Sequence, residues 1–242
     1  SHAHCACFFS ATLHPTHYYH SLLGLPENAV HIKVPSPFSS EQLKVKIAYN
    51  LSTRFRDREK AIEPICKIVS AQLAAEKGNA IIFFSSYDFL QKTEQALRKT
   101  LTSDNTKLIV QSRKMNEIDR QEFIDQFSEH NNLLGLAVLG GAFSEGIDLP
   151  GDALKGVFIA TLGLPQVNAI NEHLKQVMQT KFQRGYDFTY TYPGIQKVIQ
   201  AAGRVIRTKT DTGYLWLLDE RFQQNDIKNL LPDWWTITTD TH

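Results

Sequence analysis

The sequence predicts an α/β fold, a parallel sheet with helices on both faces, on three observations. Apolar runs AIIFF (80–84), LLGLAVL (133–139) and GVFIATL (156–162) lack the polar alternation of a half-solvated strand and suit strands buried on both sides. Between such runs lie segments of about 10 to 20 residues with apolar positions at helical spacing, the kind of connection that parallel strands need. Finally, 242 residues with 42% hydrophobic and 21% charged supply enough apolar surface for one or two packed domains, which excludes disorder.

Taken in order, CACFFSAT reads as an apolar strand entering a Ser-Ala-Thr turn, with no earlier element to complete a sheet; it looks like a piece of something longer. Ser1 and His2 are set aside as tag-like. Pro15 to Leu23 predicts a short helix ended near Gly24, and VHIKV with Pro35 and Pro37 an extended lead into a linker. LKVKIAY places Leu43, Val45, Ile47 and Tyr49 on one face, the period of a strand. Arg58 to Lys77 carries Ile62, Ile65, Val69 and Leu73 at helical spacing and stops at Gly78, before AIIFF. Helices follow over Tyr87–Leu101 and Glu117–Phe127, with a short strand LIV at 108–110 between them. After GVFIATL come helices over Asn168–Phe182 and Ile195–Ile206, and YLWLL at 214–218 closes the sheet. Tyr186, Phe188, Tyr190 and Tyr192 alternate, which predicts a strand with one buried face, and Trp234 and Trp235 read as packing anchors for the tail.

A formal net charge of +1 supplies no uniform field for nucleic acid or a membrane, so phosphate binding must be local. No apolar stretch reaches the roughly 18 to 20 residues that cross a bilayer, and a soluble, cytoplasmic protein is expected. Three cysteines, Cys5, Cys7 and Cys66, have no CxxC spacing and read as small buried hydrophobes. HAHCAC offers no second ligand pair at zinc spacing, so no metal site is assigned.

Two segments carry chemistry. In QAAGRVIR, on the expected helix, Gln200, Arg204 and Arg207 stand four and then three residues apart and share one face. Two guanidinium forks and an amide on one stripe suit a polyphosphate, because the planar fork donates paired hydrogen bonds and stays charged; a solvent-facing arginine helix is the plain alternative. In GGAFSEGIDLPG, after LLGLAVL, glycines at a strand end let backbone N–H groups approach a phosphate while Asp148 can accept from a ribose hydroxyl. No GxxxxGK[ST] or GxGxxG occurs, so most of a nucleotide would be held elsewhere.

The succession FFSATLHP (8–15), AIIFFSSYDFL (80–90), VLGGAFSEGIDLPG (138–151) and VIQAAGRVIRTKTDTG (198–213) resembles motifs III, IV, V and VI of superfamily-two helicases, in their DinG/XPD-like DNA helicase branch. The DWW after LLP is similar to the tails of bacterial members. The resemblance implies a RecA-like, P-loop NTPase-like C-terminal motor domain over 25–242, preceded at 1–24 by a residual motif III segment with Ser10 and Thr12 and a linker helix. It implies that Arg204 and Arg207 act as arginine fingers on ATP and that Gln200 senses the γ-phosphate. Glu145, Gly146 and Asp148 would lie by the nucleotide, and Ser85, Ser86, Gly141, Ser144 and Thr161 along single-stranded DNA. Arg113 with Lys114, and the helix carrying His173, Lys175, Lys181 and Arg184, are further candidates for backbone contact or plain solvated faces.

In the same scheme the partner is an N-terminal motor domain of the same parent chain. That domain would bind most of the ATP and Mg and could carry an iron-sulfur cluster, so the present chain alone is expected to be inactive. The resemblance also implies 5′ to 3′ movement on DNA. An RNA helicase or translocase and a non-enzymatic RecA-like adaptor fit the same residues.

Overall fold

The computed structural model describes residues 4–101, 105–140 and 153–238. In chain order its elements are α1 (Thr16–Leu22), β1 (Leu43–Ile47), α2 (Arg58–Ala75), β2 (Ala80–Phe84), α3 (Tyr87–Thr100), β3 (Lys107–Val110), α4 (Glu117–Glu129), β4 (Leu133–Val138), β5 (Gly156–Ala160), α5 (Ala169–Phe182), a π-helical turn (Asp187–Thr191), α6 (Tyr192–Ala202), β6 (Gly213–Leu217) and β7 (Ile237–Thr238). The strands form one sheet in the order β3-β4-β2-β5-β6-β1-β7 with parallel pairings throughout, the α/β architecture expected from the apolar runs.

Alternation along each strand divides the core in two. Ile81 and Phe83 of β2, Val157 and Ile159 of β5, and Leu215 and Leu217 of β6 face α4 and α6, where Phe123, Phe127, Ile195 and Val198 meet them. Ala80, Ile82, Phe84, Phe158 and Trp216 face α2 and α3, against Ile65, Val69, Phe89 and Leu97. Two helices on each face leave the central strands no solvated side, which is why they carry no polar alternation. Local signals set the helix starts: Ser86 accepts from the Phe89 N–H, Asn116 and Asp119 form a reciprocal capping box, and Asn168 accepts from the Asn171 N–H.

Buried polar groups tie the layers. Asn79, 4% exposed, donates to the carbonyls of Phe127, His130 and Ala153 and accepts from the Leu133 N–H at 2.9 Å, joining α4, β4 and the chain entering β5. Asp219, fully buried beyond β6, accepts from the Thr53 N–H at 2.8 Å and from Arg221 Nε at 2.7 Å. Burial alone would raise its pKa, but the hydrogen bonds and charge of Arg221, with Thr53, outweigh that and hold the carboxyl below its ordinary value.

Several expectations are corrected. Residues 4–14 form no strand; CACFF lies exposed and irregular and pairs with no strand of the sheet. Cys66 is buried, and burial pushes its thiol up to about 11, but Cys5 and Cys7 are exposed. Tyr186 to Tyr192 is helical, not extended: the alternation also satisfies i,i+4 pairing, with Tyr186–Tyr190 centroids 5.2 Å apart and Phe188–Tyr192 5.7 Å. Tyr18 of α1 packs edge-on to Phe188 at 4.9 Å and Tyr192 at 5.0 Å, so the start of the chain is seated on that turn. Trp235 is buried as a tail anchor, and Phe38 packs beside Trp234. Among the described residues no helix is long and apolar enough to cross a membrane.

Candidate functional site

Because the strands are parallel, the connections leaving them gather at one edge of the sheet, where open α/β folds place their ligands. Ser85 and Ser86 follow β2, Arg113 follows β3, Gly140 follows β4 and Thr161 follows β5, so four neighbouring strands contribute. Their roles differ. Ser86 caps α3, which commits its hydroxyl to the Phe89 N–H at 3.3 Å. Ser85 Oγ is buried and has no hydrogen-bond partner among the described residues. Arg113 is exposed, with its guanidinium 5.1 Å over the ring of Tyr87. Thr161 is 6% exposed and accepts from the Gly163 N–H at 3.0 Å, so it shapes the turn after β5.

That turn is where α6 begins. Gly163 has φ +70°, and a Cβ there would stand 2.6 Å from the Gly194 carbonyl oxygen; a Cβ on Gly194 would stand 2.8 Å from that of Leu162. Only glycine at both positions lets the helix approach so closely. One turn on, Lys197 lies against Gly140, its Nζ 3.3 Å from where a Cβ would be. Sequence reasoning passed over Lys197, which lies in the expected helix but outside the quoted spacing. The chain reaches the motif V segment at Gly140; Gly141, Ser144, Glu145, Gly146 and Asp148 lie outside the described residues.

Gln200, Arg204 and Arg207 sit at the opposite end of α6. The expected helix to Ile206 stops four residues short, at Ala202, and Gly203 turns the backbone with its N–H on Ile199. Gln200 is therefore on the last helical turn while both arginines are on the segment beyond it, so the three do not share a helix face. The reason is local: Gly203 weakens the helix, and burying Val205 and Ile206 draws the chain onto the sheet instead. All three polar side chains are half-buried.

The segment is pinned at the amino ends of β1 and β6. Asp211 accepts from the N–H groups of Arg207 and Thr208 at 2.8 Å each, and Gln42 Nε2 donates to the carbonyls of Thr208 and Asp211. Burial works against ionisation of Asp211, yet the Thr208 hydroxyl and these N–H groups, with the charge of Arg207, hold it below its ordinary value. Two half-buried guanidinium groups on a fixed backbone can meet an anion without first ordering a loop.

The basic helix α5 has no buried residue, and the charges of this region are partly satisfied: Lys175 pairs with Glu172, and Arg184, two residues past the helix, donates to the Tyr192 hydroxyl at 3.2 Å. Lys114 is exposed beside Arg113. Among the described residues no group of three His, Cys, Asp or Glu side chains could hold a metal ion.

The model of a family described as "Helicase C-terminal domain" matches residues 69–238. The chain is 27% identical over 218 residues to the probable ATP-dependent helicase MJ0942 of Methanocaldococcus jannaschii, covering 84% of this chain and 32% of that protein. It is 27% identical over 165 residues to the ATP-dependent DNA helicase DinG of Photobacterium profundum, covering 67% of this chain and 23% of that one. Thus the chain spans a third or less of these relatives. A solved XPD helicase superposes with a TM-score of 0.73 at 21% identity, over 96% of this chain and 42% of that structure. The C-terminal domain of the DEAD-box protein Dbp5 superposes with a TM-score of 0.50 at 16% identity, over 83% of this chain and 90% of its own.

Proposed function

Since the chain belongs to the helicase C-terminal domain family, we propose that it is the second motor half of an ATP-dependent DNA helicase of the DinG/XPD type. In this reading Gln200, Arg204 and Arg207 face a triphosphate held chiefly by a first motor domain. The carboxyl edge, with Ser85, Ser86, Arg113 and Thr161, and Gly141 and Ser144 from the segment outside the described residues, follows a single strand of DNA. Glu145, Gly146 and Asp148 would approach the nucleotide from that same segment.

The observation that supports this most is the placement of the two groups at opposite ends of one helix. Gly194 at the start of α6 is packed into the strand edge, while Gln200 and the turn bearing Arg204 and Arg207 end it. The arginines would stabilise negative charge developing on the transferred phosphoryl group, acting from a backbone already fixed by Asp211 and Gln42. Magnesium, when bound, would neutralise phosphate charge; its protein ligands would belong to the first motor domain, as would those of any iron-sulfur cluster. Closure of the two motor domains on ATP and reopening after hydrolysis would change the grip on the strand, and the direction of stepping in this reading is 5′ to 3′.

The test replaces the arginines in a protein that carries this chain together with a first motor domain. Arg204→Ala and Arg207→Ala should each lower DNA-stimulated ATP turnover by about 10³- to 10⁵-fold, the range in which arginine fingers act, while the fold's thermal midpoint is kept. Unchanged turnover would leave an adaptor domain, and a strong preference for strands with 2′-hydroxyls would move the motor to RNA.

A further inference from the structure

The turn joining β1 to α2 has the sequence STRFRDR, residues 52–58, in which one phenylalanine stands among three arginines. Its backbone is braced from below and from the side. Buried Asp219 accepts from both the N–H and the hydroxyl of Thr53 and is itself held by Arg221. The Ser52 hydroxyl donates to Asp57 at 2.7 Å, the Asp57 N–H closes on the Arg54 carbonyl at 2.8 Å, and Arg54 pairs with Glu220. Held this way, the turn leaves the ring of Phe55 84% exposed. A frame this well satisfied is not a frayed loop that has failed to bury its aromatic; it presents the ring.

What lies around the ring narrows the ligand. Arg58 stands between two aromatic faces, 5.3 Å from the Phe55 centroid and 5.6 Å from that of Phe89. Beside it Phe55, Ile62 and Phe89 form the apolar walls of a cleft of about 220 Å³ between the starts of α2 and α3. Its rim has two cations, Arg58 and Lys92, and two carboxylates, Glu59 and Asp88, with Lys92 bridging the acids. Cancelled charge does not attract a bare phosphate, whereas apolar walls with donors and acceptors at the rim suit a flat neutral ring whose edge carries both. Arg56, next to Phe55 and exposed, supplies a cation for a polyanionic backbone outside the cleft. The wall formed by α3 is continuous with the strand edge, since that helix starts with the cap Ser86 and with Tyr87 under Arg113.

We propose that this cleft takes one nucleobase of a single strand, stacked on Phe55, with Arg56 on the adjoining phosphate. The proposal rests on reading the carboxyl edge as a strand path and extends that path past α3 to the β1–α2 turn.

The experiment compares the affinity of the full chain for a short oligothymidylate with that for an abasic oligomer of the same length. Phe55→Ala should weaken oligothymidylate binding roughly 5- to 150-fold, as the loss of one stacked base does, and leave abasic binding unchanged. Phe55→Trp should restore affinity and show indole fluorescence quenched on binding. Because the ring is exposed, both variants should keep the thermal midpoint. Equal affinity of Phe55→Ala and the unaltered chain for oligothymidylate would overturn the stacking site alone, as would an equal loss on both oligomers. If the unaltered chain binds neither oligomer, the strand path itself falls, and the stacking site with it.

Discussion

Single side chains do much of the joining here, and Asp219 is the clearest case. Its carboxylate is fully buried and held by Arg221 and Thr53, with its pKa below the ordinary value because those partners outweigh burial. A depressed carboxyl contributes stability that is fully present above the unfolded value of about 3.9 and is lost as pH falls through the native one. Asp219→Asn, which leaves Arg221 without its buried counter-charge, should therefore cost about 3 kcal/mol near pH 7. The gap in urea midpoint between variant and parent should narrow as pH drops from 5 towards 3; a gap independent of pH would contradict the assignment. Nothing in the sequence marks this aspartate, because hydrophobic periodicity reports which face is apolar and is silent on which buried polar groups find partners across the chain. The same holds for Asn79 and for Lys197 beside Gly140. Residue type made Gln200, Arg204 and Arg207 the candidate phosphate-binding set proposed above; their disposition was not readable, since Gly203 and the burial of Val205 and Ile206 end the helix between them.

At the level of elements, strands were the most legible part. Runs such as AIIFF and GVFIA have no polar residue because helices cover both faces, and that composition leaves few alternatives. The Tyr186–Tyr192 turn was illegible for the converse reason: spacing of two in a short aromatic run fits a strand and also an i,i+4 ladder, and contact with Tyr18 of the distant α1 decides between them. Pairing between strands leaves a sharper imprint. Gly156 lies opposite Tyr214, and a Cβ on it would fall 2.0 Å from Cζ of that ring. Gly156→Ala should destabilise the chain by about 1 to 3 kcal/mol through overpacking. In the double variant Gly156→Ala with Tyr214→Val the two effects should be strongly non-additive in thermal or urea unfolding, whereas simple additivity would mean that the ring moves aside freely.

Over the whole molecule, one parallel sheet with order β3-β4-β2-β5-β6-β1-β7 collects the proposed strand contacts along one rim and the proposed phosphate contacts at the far end of α6. A net charge of +1 means that nucleic-acid binding would depend on a few placed cations. The plot of log affinity for single-stranded DNA against log salt should accordingly be shallow, and Arg113→Ala should reduce its slope by about 0.7, the value of one phosphate contact on a single strand. An unchanged slope would remove Arg113 from the path.

The two close-packed glycines at the start of α6 bear on how such a domain could work. Gly163 and Gly194 press backbone on backbone, and the helix runs on from Gly194 to Ala202 before a turn clamped by Asp211 and Gln42. With about 1.5 Å of rise per residue, that is a shaft of about 12 Å, held at each end. In the proposed reading such a shaft would carry a displacement at the strand rim to the phosphate end as translation, so that filling the one and tightening on the other would be coupled.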